Sequence, residues 1–357
     1  MTLKKGLQLF GLLTVLFTLI PIAAADNWWI RIFDFPHAQL TGLTLMAIGT
    51  FLVKFDLRNW RDYAFITVLI ACFVYQFVKI YPYTPLANVE IADSSSAAQD
   101  EIRVFTANVY QQNTAHDKVL TAIKNEAPHL ILLMETNQKW YNAVHPTLSK
   151  TYPYFITEPL ENTYGMLLYS SIPLEDTAIR YQVSDRIPSM KAMATLENGA
   201  QVQLLAIHPT PPMPQHKASS SDRDKEMMLT AFEAQNTDKP VIVLGDFNDV
   251  AWSSTTSLFR SVSRLLDPRV GRGFYNTFNA NSWLMRWPLD HLFVSPHFRL
   301  KKIGAGTSIG SDHFPVIATL SFEPEAKEKQ KPAPPTQDEI DRANAQLGDQ
   351  SMQFTLE

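Results

Sequence analysis

The sequence predicts an α+β sandwich, with sheets inside and helices outside, carried behind a helical membrane anchor. Three features lead to it. The first 85 residues hold long apolar runs without a formal charge. Beyond residue 100, apolar runs of strand length alternate with stretches of helical periodicity. Within that region Asn198-Gly199 lies between two alternating runs, the signature of a type I′ hairpin. Strands joined by hairpins and mixed with helices bury their apolar faces as sheet layers covered by helices.

The anchor comes first. Gly6 to Ala25 contains no Asp, Glu, Lys or Arg, nor does Phe35 to Val53, nor Tyr63 to Val78. A helix needs roughly 20 apolar residues to cross a bilayer, with about 17 tolerated. The first two runs reach that length. The third extends to about residue 83, because Lys79 can snorkel and Tyr81 and Tyr83 suit the interface. Trp28, Trp29 and Trp60 read as interfacial anchors. Residues 1–84 are therefore expected to form three transmembrane helices inserted in a lipid bilayer.

Loop charges orient them. Lys4 and Lys5 precede the first span, and Lys54, Arg58 and Arg61 lie between the second and third, whereas the loop from Asp26 to Asp34 holds only Arg31. The positive-inside rule makes the N-terminus and the second loop cytoplasmic. Everything after residue 84 is then extracytoplasmic, periplasmic for a bacterial inner-membrane protein. The stretch "PIAAADN" (21–27) is similar to a signal-peptidase site. Cleavage there leaves the other two spans and the same final orientation.

Residues 85–100 read as a small, polar, Ser/Ala-rich linker. The sandwich domain spans 101–322, with strands expected in "IRVFTANVY", "LILLME", "MLLYS", "VQLLAIH", "VIVLGDF", "LDHLFVS" and "FPVIATL". Helices are expected at about 115–127, 137–149, 219–235 and 254–266. Residues 323–357 are charged and Pro-rich and are expected to be disordered, with a short helix conceivable at Gln337 to Leu347 but given no role.

Composition narrows the function. The net charge is -4, and residues 100–322 carry 20 Lys+Arg against 21 Asp+Glu, so no global field attracts nucleic acid. The single cysteine, Cys72, excludes an internal disulfide and a CxxC site, and its apolar run makes it a small buried hydrophobe. No GxSxG, P-loop or GxGxxG motif is present. Nothing implies a protein partner.

The strand runs share one further property. Asn108 closes the first, Glu135 the second, His208 the fourth, and Asp246 with Asn248 the fifth. Asp290 and His291 open "DHLFVS", and Asp312 and His313 open the last. A single polar residue at a strand end usually caps or turns. Nine such residues at six strand ends, drawn only from Asn, Asp, Glu and His, suggest one cleft at one rim of the sandwich. Oxygen-rich ligands suit Mg²⁺, which takes one or two protein carboxylates and completes its shell with water and substrate phosphate. Glu135 fits that role. Zinc fits less well, since His208, His291 and His313 lack close pair spacing. Adjacent strand residues point to opposite faces, so Asp312 and His313 serve different partners.

The segments "TANVY", "LLMETN", "YGMLLYSSIP", "LLAIHPTPP", "VIVLGDFND", "PLDHLFVS" and "IGSDHFPV" occur in an order that resembles the endonuclease/exonuclease/phosphatase superfamily over residues 100–322. That family includes deoxyribonuclease I-like nucleases, exonuclease III-like enzymes, inositol-polyphosphate 5-phosphatases and neutral sphingomyelinases. The resemblance implies a four-layer α/β sandwich and Mg²⁺-dependent cleavage of a phosphoester by water, with Mn²⁺ as a substitute. It implies Glu135 as the principal metal ligand, with Asn108 beside it at the phosphate. Asp246 would orient or deprotonate the attacking water and Asn248 hold a phosphate oxygen. His313 resembles the catalytic histidine, Asp290 the carboxylate that orients it, and Asp312 a neighbour of the metal. His208 matches the histidine of the deoxyribonuclease I and sphingomyelinase branches.

Two departures bear on substrate. Exonuclease III-like enzymes carry an acid or amide and a glycine shortly after the first Asn, where "NVYQQN" offers Tyr110, and a tyrosine in place of His208. Both argue against abasic-site repair. Arg223, Arg269 and Arg272 stand as candidate grips for flanking phosphates. The expected function is a membrane-anchored nuclease-like phosphodiesterase acting on nucleic acid. One alternative is a phospholipid or sphingolipid headgroup phosphodiesterase or a phosphatase. A catalytically silent membrane interaction module is the alternative of another class.

Overall fold

The computed structural model describes residues 2–23, 27–95, 100–213 and 219–348. The cleavage motif reaches into 24–26, and parts of the linker (96–99) and tail (349–357) also lie outside the described residues. The chain begins with α1 (Leu3–Leu19), a short α2 (Trp28–Arg31), α3 (His37–Leu52) and α4 (Trp60–Ile80). Two helical stretches, Leu3–Ile22 and Trp60–Tyr83, are long and apolar enough to cross a membrane. The middle helix falls short of the expectation. Pro36 stands at its N-cap, leaving 16 helical residues, or about 24 Å of a hydrocarbon core about 30 Å thick.

The helices are apolar outside and polar within. Leu9, Leu12, Leu13 and Leu16 of α1, Leu45 and Met46 of α3, and Ile70 and Val74 of α4 are exposed. Thr14, Thr18, Thr44 and Gln76 are buried between the helices. The Gln76 amide donates to Thr18 Oγ1. Hydroxyls at 14, 18, 41 and 44 return to carbonyls one turn back. That is the inverse of the pattern of a water-soluble helix, which turns its apolar face inward.

Two mixed sheets follow. The first runs in the order β10-β11-β1-β2-β4-β3 and the second β5-β6-β7-β8-β9. Their strands are β1 (Glu101–Asn108), β2 (Leu130–Met134), β3 (Tyr154–Glu158), β4 (Met166–Ser170), β5 (Leu174–Arg180), β6 (Ser189–Thr195), β7 (Gln201–Ile207), β8 (Val241–Asp246), β9 (Asp290–Val294), β10 (Phe298–Ala305) and β11 (Val316–Phe322). The parallel pairs β1/β2 and β7/β8 are bridged by α5 (His116–Glu126) and α7 (Ser221–Gln235). Helix α6 (Gln138–Leu148) follows β2, and α8 (Ser254–Ser263) follows β8.

Alternation builds the layers. Val104, Leu132 and Leu168 of the first sheet meet Ala192, Leu204, Ile242 and Leu292 of the second in one core. The intervening Phe105, Ile131 and Tyr169 face α5 and α6 with Val119 and Trp140. Leu205, Val243 and Phe293 face α7 and α8 with Met227, Phe232 and Phe259. The central strands are buried on both faces and read as unbroken apolar runs, whereas the edge strands β3, β5 and β10 are partly exposed. Fully burying one Leu or Phe contributes about 1.5–3 kcal/mol. The result is the four-layer sandwich.

Two expectations need correction. The linker is not free: Ile91 is fully buried in the inter-sheet core, Ser94 N donates to Leu300 O at 2.8 Å, and Leu300 N to Ala92 O at 3.0 Å. It covers the β10 edge, which would otherwise expose unpaired backbone groups. The tail is not disordered over its described part. After a short α9 (Lys327–Gln330), α10 (Gln337–Leu347) is opened by a Thr336/Glu339 capping box. Ile340, Ala343 and Leu347 share one helical face and are buried with α7 and α8. The polar composition of this segment concealed a three-residue stripe sufficient to dock it.

Candidate active site

The topology delivers the strand-end residues to one rim. Asn108 ends β1 and Glu135 follows its parallel neighbour β2, while His208 follows β7 and Asp246 ends its parallel neighbour β8. Antiparallel β9 starts with Asp290 in register with Asp246. The start of β11, Val316, pairs with Thr106, so the loop carrying Asp312 and His313 arrives beside Asn108.

The side chains then meet. His313 Nδ1 lies 2.7 Å from Asp290 Oδ2, and its Nε2 lies 3.7 Å from Asp246 Oδ2. His208 Nε2 approaches the same Asp246 oxygen at 3.8 Å. Asn108 Nδ2 donates to Glu135 Oε1 at 2.8 Å and to Asp246 Oδ2 at 3.1 Å, bridging the two carboxylates. Asn248 N donates to Asp246 Oδ1 at 2.9 Å, and its side-chain amide donates to Pro209 O at 2.9 Å. Seven of the eight candidate residues thus form one connected group. The eighth, Asp312, is partly buried beside it. Ser311 Oγ reaches its carboxylate at 3.4 Å, and its carbonyl accepts from Ala280 N at 2.6 Å.

The backbone is shaped for this convergence. Glu135 and Asn248 adopt φ of 57° and 49°, and Tyr110 one of 58°. Outside glycine and asparagine such left-handed conformations cost about 1–3 kcal/mol and concentrate at functional sites. Gly245, one residue before Asp246, is forced by space as well as conformation. Its φ is +148°, and an added Cβ would lie 1.9 Å from Ile207 O.

Electrostatics follow from burial. Burial raises the Glu135 and Asp246 carboxyls above their usual range, and Asp290 adds to the rise at Asp246. Burial disfavours a charged His313, but Asp290 and Asp246 outweigh it and push its pKa up to about 10. The cleft therefore concentrates negative charge. Asp246, Asp290 and His313 each offer a ligand atom, all within 4.8 Å of one another. Asp290 Oδ1 is buried without a hydrogen-bond partner among the described residues. The carboxylate oxygens of Glu135 and Asp246, brought together by the Asn108 amide, fit a hard divalent cation such as Mg²⁺, while Asp290 is engaged with His313.

His291 stands apart from the cleft. Its Nδ1 lies 2.6 Å from Arg269 Nη2 and its Nε2 2.8 Å from Asp249 O, and burial with Arg269 holds its pKa well below the usual value. The three candidate arginines are committed elsewhere. Arg223 binds Asp224, Arg269 binds Asp267 at 2.7 Å, and Arg272 binds Asp93 at 2.6 Å. None is a free phosphate grip. Sequence reasoning missed Ser311, whose Oγ donates to Asn108 O and accepts from His313 N. It also missed Tyr164 and Phe278, whose rings lie 5.3 Å from His208 and 4.9 Å from His313. Ser311 was visible as the residue before the Asp312-His313 pair. Tyr164 opens the segment "YGMLLYSSIP" but was given no role there, and Phe278 comes from a loop with no comparable signal.

Residues 105–313, more than half of the chain, match the model of the Endonuclease/Exonuclease/phosphatase family. The chain belongs to that family, whose chemistry is hydrolysis of phosphoester bonds. Among solved structures it is similar to D. rerio TDP2 complexed with single strand DNA product (15% identity, TM-score 0.53, covering 62% of this chain and 100% of that one). A functionally unknown conserved protein from Enterococcus faecalis V583 is similar too (15% identity, TM-score 0.50, 62% and 100% covered). At such identities the likeness is one of fold. No significant match is found among curated proteins.

Proposed function

We propose that this chain is a membrane-anchored, Mg²⁺-dependent phosphodiesterase working at the extracytoplasmic face of a bacterial inner membrane. The carrying observation is the 2.7 Å contact of Asp290 with His313, set beside Asp246, Asn108 and Glu135. Asp290 accepts a hydrogen bond from Nδ1–H, which orients the ring so that Nε2 faces the cleft and stabilises the imidazolium. Asp246, 3.7 Å from that nitrogen, would orient an attacking water and receive its proton. Asn108, His208 and Asn248 border the space a phosphate would enter and supply donors to its developing charge. Glu135 is the primary carboxylate for the cation, with Asp312 and Asn108 near it. The bound ion would supply Lewis-acid stabilisation of the phosphoryl oxygens and a lowered water pKa.

The anchor supports the location. Its apolar faces are exposed and its polar groups are buried. Lys4, at the start of α1, pairs at 2.5 Å with Asp62, at the start of α4, in the same loop region as Lys54, Arg58 and Arg61. The domain contacts the opposite end: Tyr83 Oη donates to Ala251 O and Trp252 Nε1 to Asp34 O, both at 2.7 Å.

A second reading concerns the substrate. Nucleic acid was the expectation from sequence, but the candidate phosphate arginines face internal carboxylates. The loop from Phe278 to Trp287 favours a lipid headgroup. It touches the site through Phe278 and the Ala280 N–H to Asp312 O. It touches the anchor through Gln39 Nε2, which donates to Leu284 O at 2.8 Å. Between these contacts Trp283 is 86% exposed, and Leu284 and Met285 are also exposed. The test is to incubate the full chain in micelles with Mg²⁺ and a panel of DNA, RNA, phospholipid vesicles, sphingomyelin vesicles and phosphomonoesters. Cleavage of a phosphodiester that vanishes in His313→Ala is expected, and the member cleaved decides the substrate. No cleavage of any member favours the silent interaction module.

A further inference from the structure

The catalytic domain meets its anchor through buried charges. Arg31, the last residue of the short α2 between α1 and α3, is 6% exposed. Its Nη1 donates to Ser254 Oγ at 3.1 Å and lies 3.8 Å from Asp34 Oδ2, while Nη2 lies 3.6 Å from Asp224 Oδ2. On its other oxygen Asp224 accepts from Arg223 Nε at 2.9 Å and Nη2 at 2.8 Å. Arg223, 1% exposed, spends its remaining nitrogen on the loop after β8. Nη1 donates to Asn248 O at 3.0 Å and lies 3.4 Å from Asp249 Oδ1. Asn248 is the residue held at φ 49° beside Asp246.

We infer that Arg31 of the membrane anchor is a positioning residue for the active site, holding the Asn248 loop through Asp224 and Arg223. The inference rests on the reading that Asn248 and Asp246 belong to that site. Charge balance gives the physical reason. Asp34, Asp224 and Asp249 are buried and answered by two buried guanidiniums, with Lys79 only 4.0 Å from Asp34 at the margin. Removing Arg31 leaves three buried carboxylates around Arg223. An uncompensated buried charge is costly, and the cheapest relief is for Arg223 to turn fully toward carboxylates. The contact it then gives up is the neutral one, to Asn248 O. Without that hold the left-handed Asn248 relaxes, and with it the N–H that fixes Asp246. A misplacement of about 1 Å at reacting groups costs up to about 100-fold in rate. The anchor is then part of the catalytic apparatus as well as a tether.

The test uses the full chain in detergent micelles with Mg²⁺ and bis(p-nitrophenyl) phosphate as the probe. Arg31→Ala is expected to lower kcat by about 10- to 100-fold with KM changed less than about threefold. Arg31→Ala combined with Asn248→Ala is expected to be no slower than Asn248→Ala alone, because both act through one loop. Where Arg31→Ala does not accumulate as folded protein, Arg31→Lys runs through the same cycle. It keeps one charge but loses the fork that spans Ser254 and Asp224. Unchanged kcat in the folded Arg31 variant, or effects of the two substitutions that multiply, overturns the inference. Wild-type turnover in Asn248→Ala and His313→Ala instead overturns the active-site reading, a distinguishable result.

Discussion

At the scale of single residues, the proposed chemistry turns on His313 and Asp290. Asn in place of Asp290 keeps the shape but presents either an amide N–H or a weaker acceptor to Nδ1, so the imidazole loses its tautomer and its field. Asp290→Asn is expected to lower kcat by about 10³- to 10⁴-fold with KM little changed, as in other oriented-imidazole sites. Steady-state kinetics on a folded variant checks this, and retained turnover removes Asp290 from the mechanism. Glu135→Gln removes the charge that attracts a cation while leaving the Asn108 contact possible, so Mg²⁺ affinity measured by calorimetry should fall. Unchanged affinity would unseat Glu135. Glu226 offers a test independent of catalysis. Burial in α7 raises its pKa from 4.5 to about 8, and its Oε1 has no partner among the described residues. A carboxyl with a raised folded pKa costs nothing while protonated in both states. The cost grows as pH rises from about 4.5 and levels off above about 8. Glu226→Gln should therefore stabilise the protein by up to about 5 kcal/mol above pH 8 and hardly at all at pH 4, read from urea unfolding across that range.

Individual elements show what a sequence reveals. Strands buried on both faces, such as β1, β2 and β8, appear as apolar runs that stop abruptly, and each stop is a site residue: Asn108, Glu135, Asp246. That is why the candidate site was legible. Strands β3, β5 and β10 were not foreseen, because as edge or outer strands they keep partly exposed, mixed sequences such as "YFITE" and "LEDTAIR". Helix α10 was given no role because its surroundings are charged and Pro-rich, although Ile340, Ala343 and Leu347 repeat at helical spacing. Charges were the least legible feature. Arg31, Arg223 and Arg269 look solvated in sequence, and only folding brings their carboxylates to them. If α10 is a structural part of the sandwich, Ile340→Ala should cost about 2–4 kcal/mol in global unfolding. A frayed tail would show no change.

At the scale of the whole molecule, the N-terminal helices proposed as an anchor and the sandwich make one continuous structure with its ends distinguished by charge. Lys4 and Lys5 lie at the start of α1, and Lys54, Arg58 and Arg61 at the turn between α3 and α4. The Lys4–Asp62 pair brings these two regions together. The other end carries Arg31 and Lys79, both close to carboxylates, together with Trp28, Trp29, Tyr81 and Tyr83. By the positive-inside rule the end richer in Lys and Arg would face the cytoplasm, whereas aromatic rings suit either interface. The sandwich contacts the aromatic end, through Tyr83 and Trp252. An alkaline phosphatase reporter fused after Gly348 should therefore be active in a bacterial host, since that enzyme matures only outside the cytoplasm. The same reporter fused in the loop at Arg58 should be inactive. Deletion of α1 that leaves α3 and α4 should preserve the pattern, because two spans starting outside return the chain to the same side, the short α3 crossing with local thinning of the bilayer. An inactive fusion at Gly348, alongside an active cytoplasmic reporter at the same position, would place the cleft inside the cell and remove extracytoplasmic substrates from consideration.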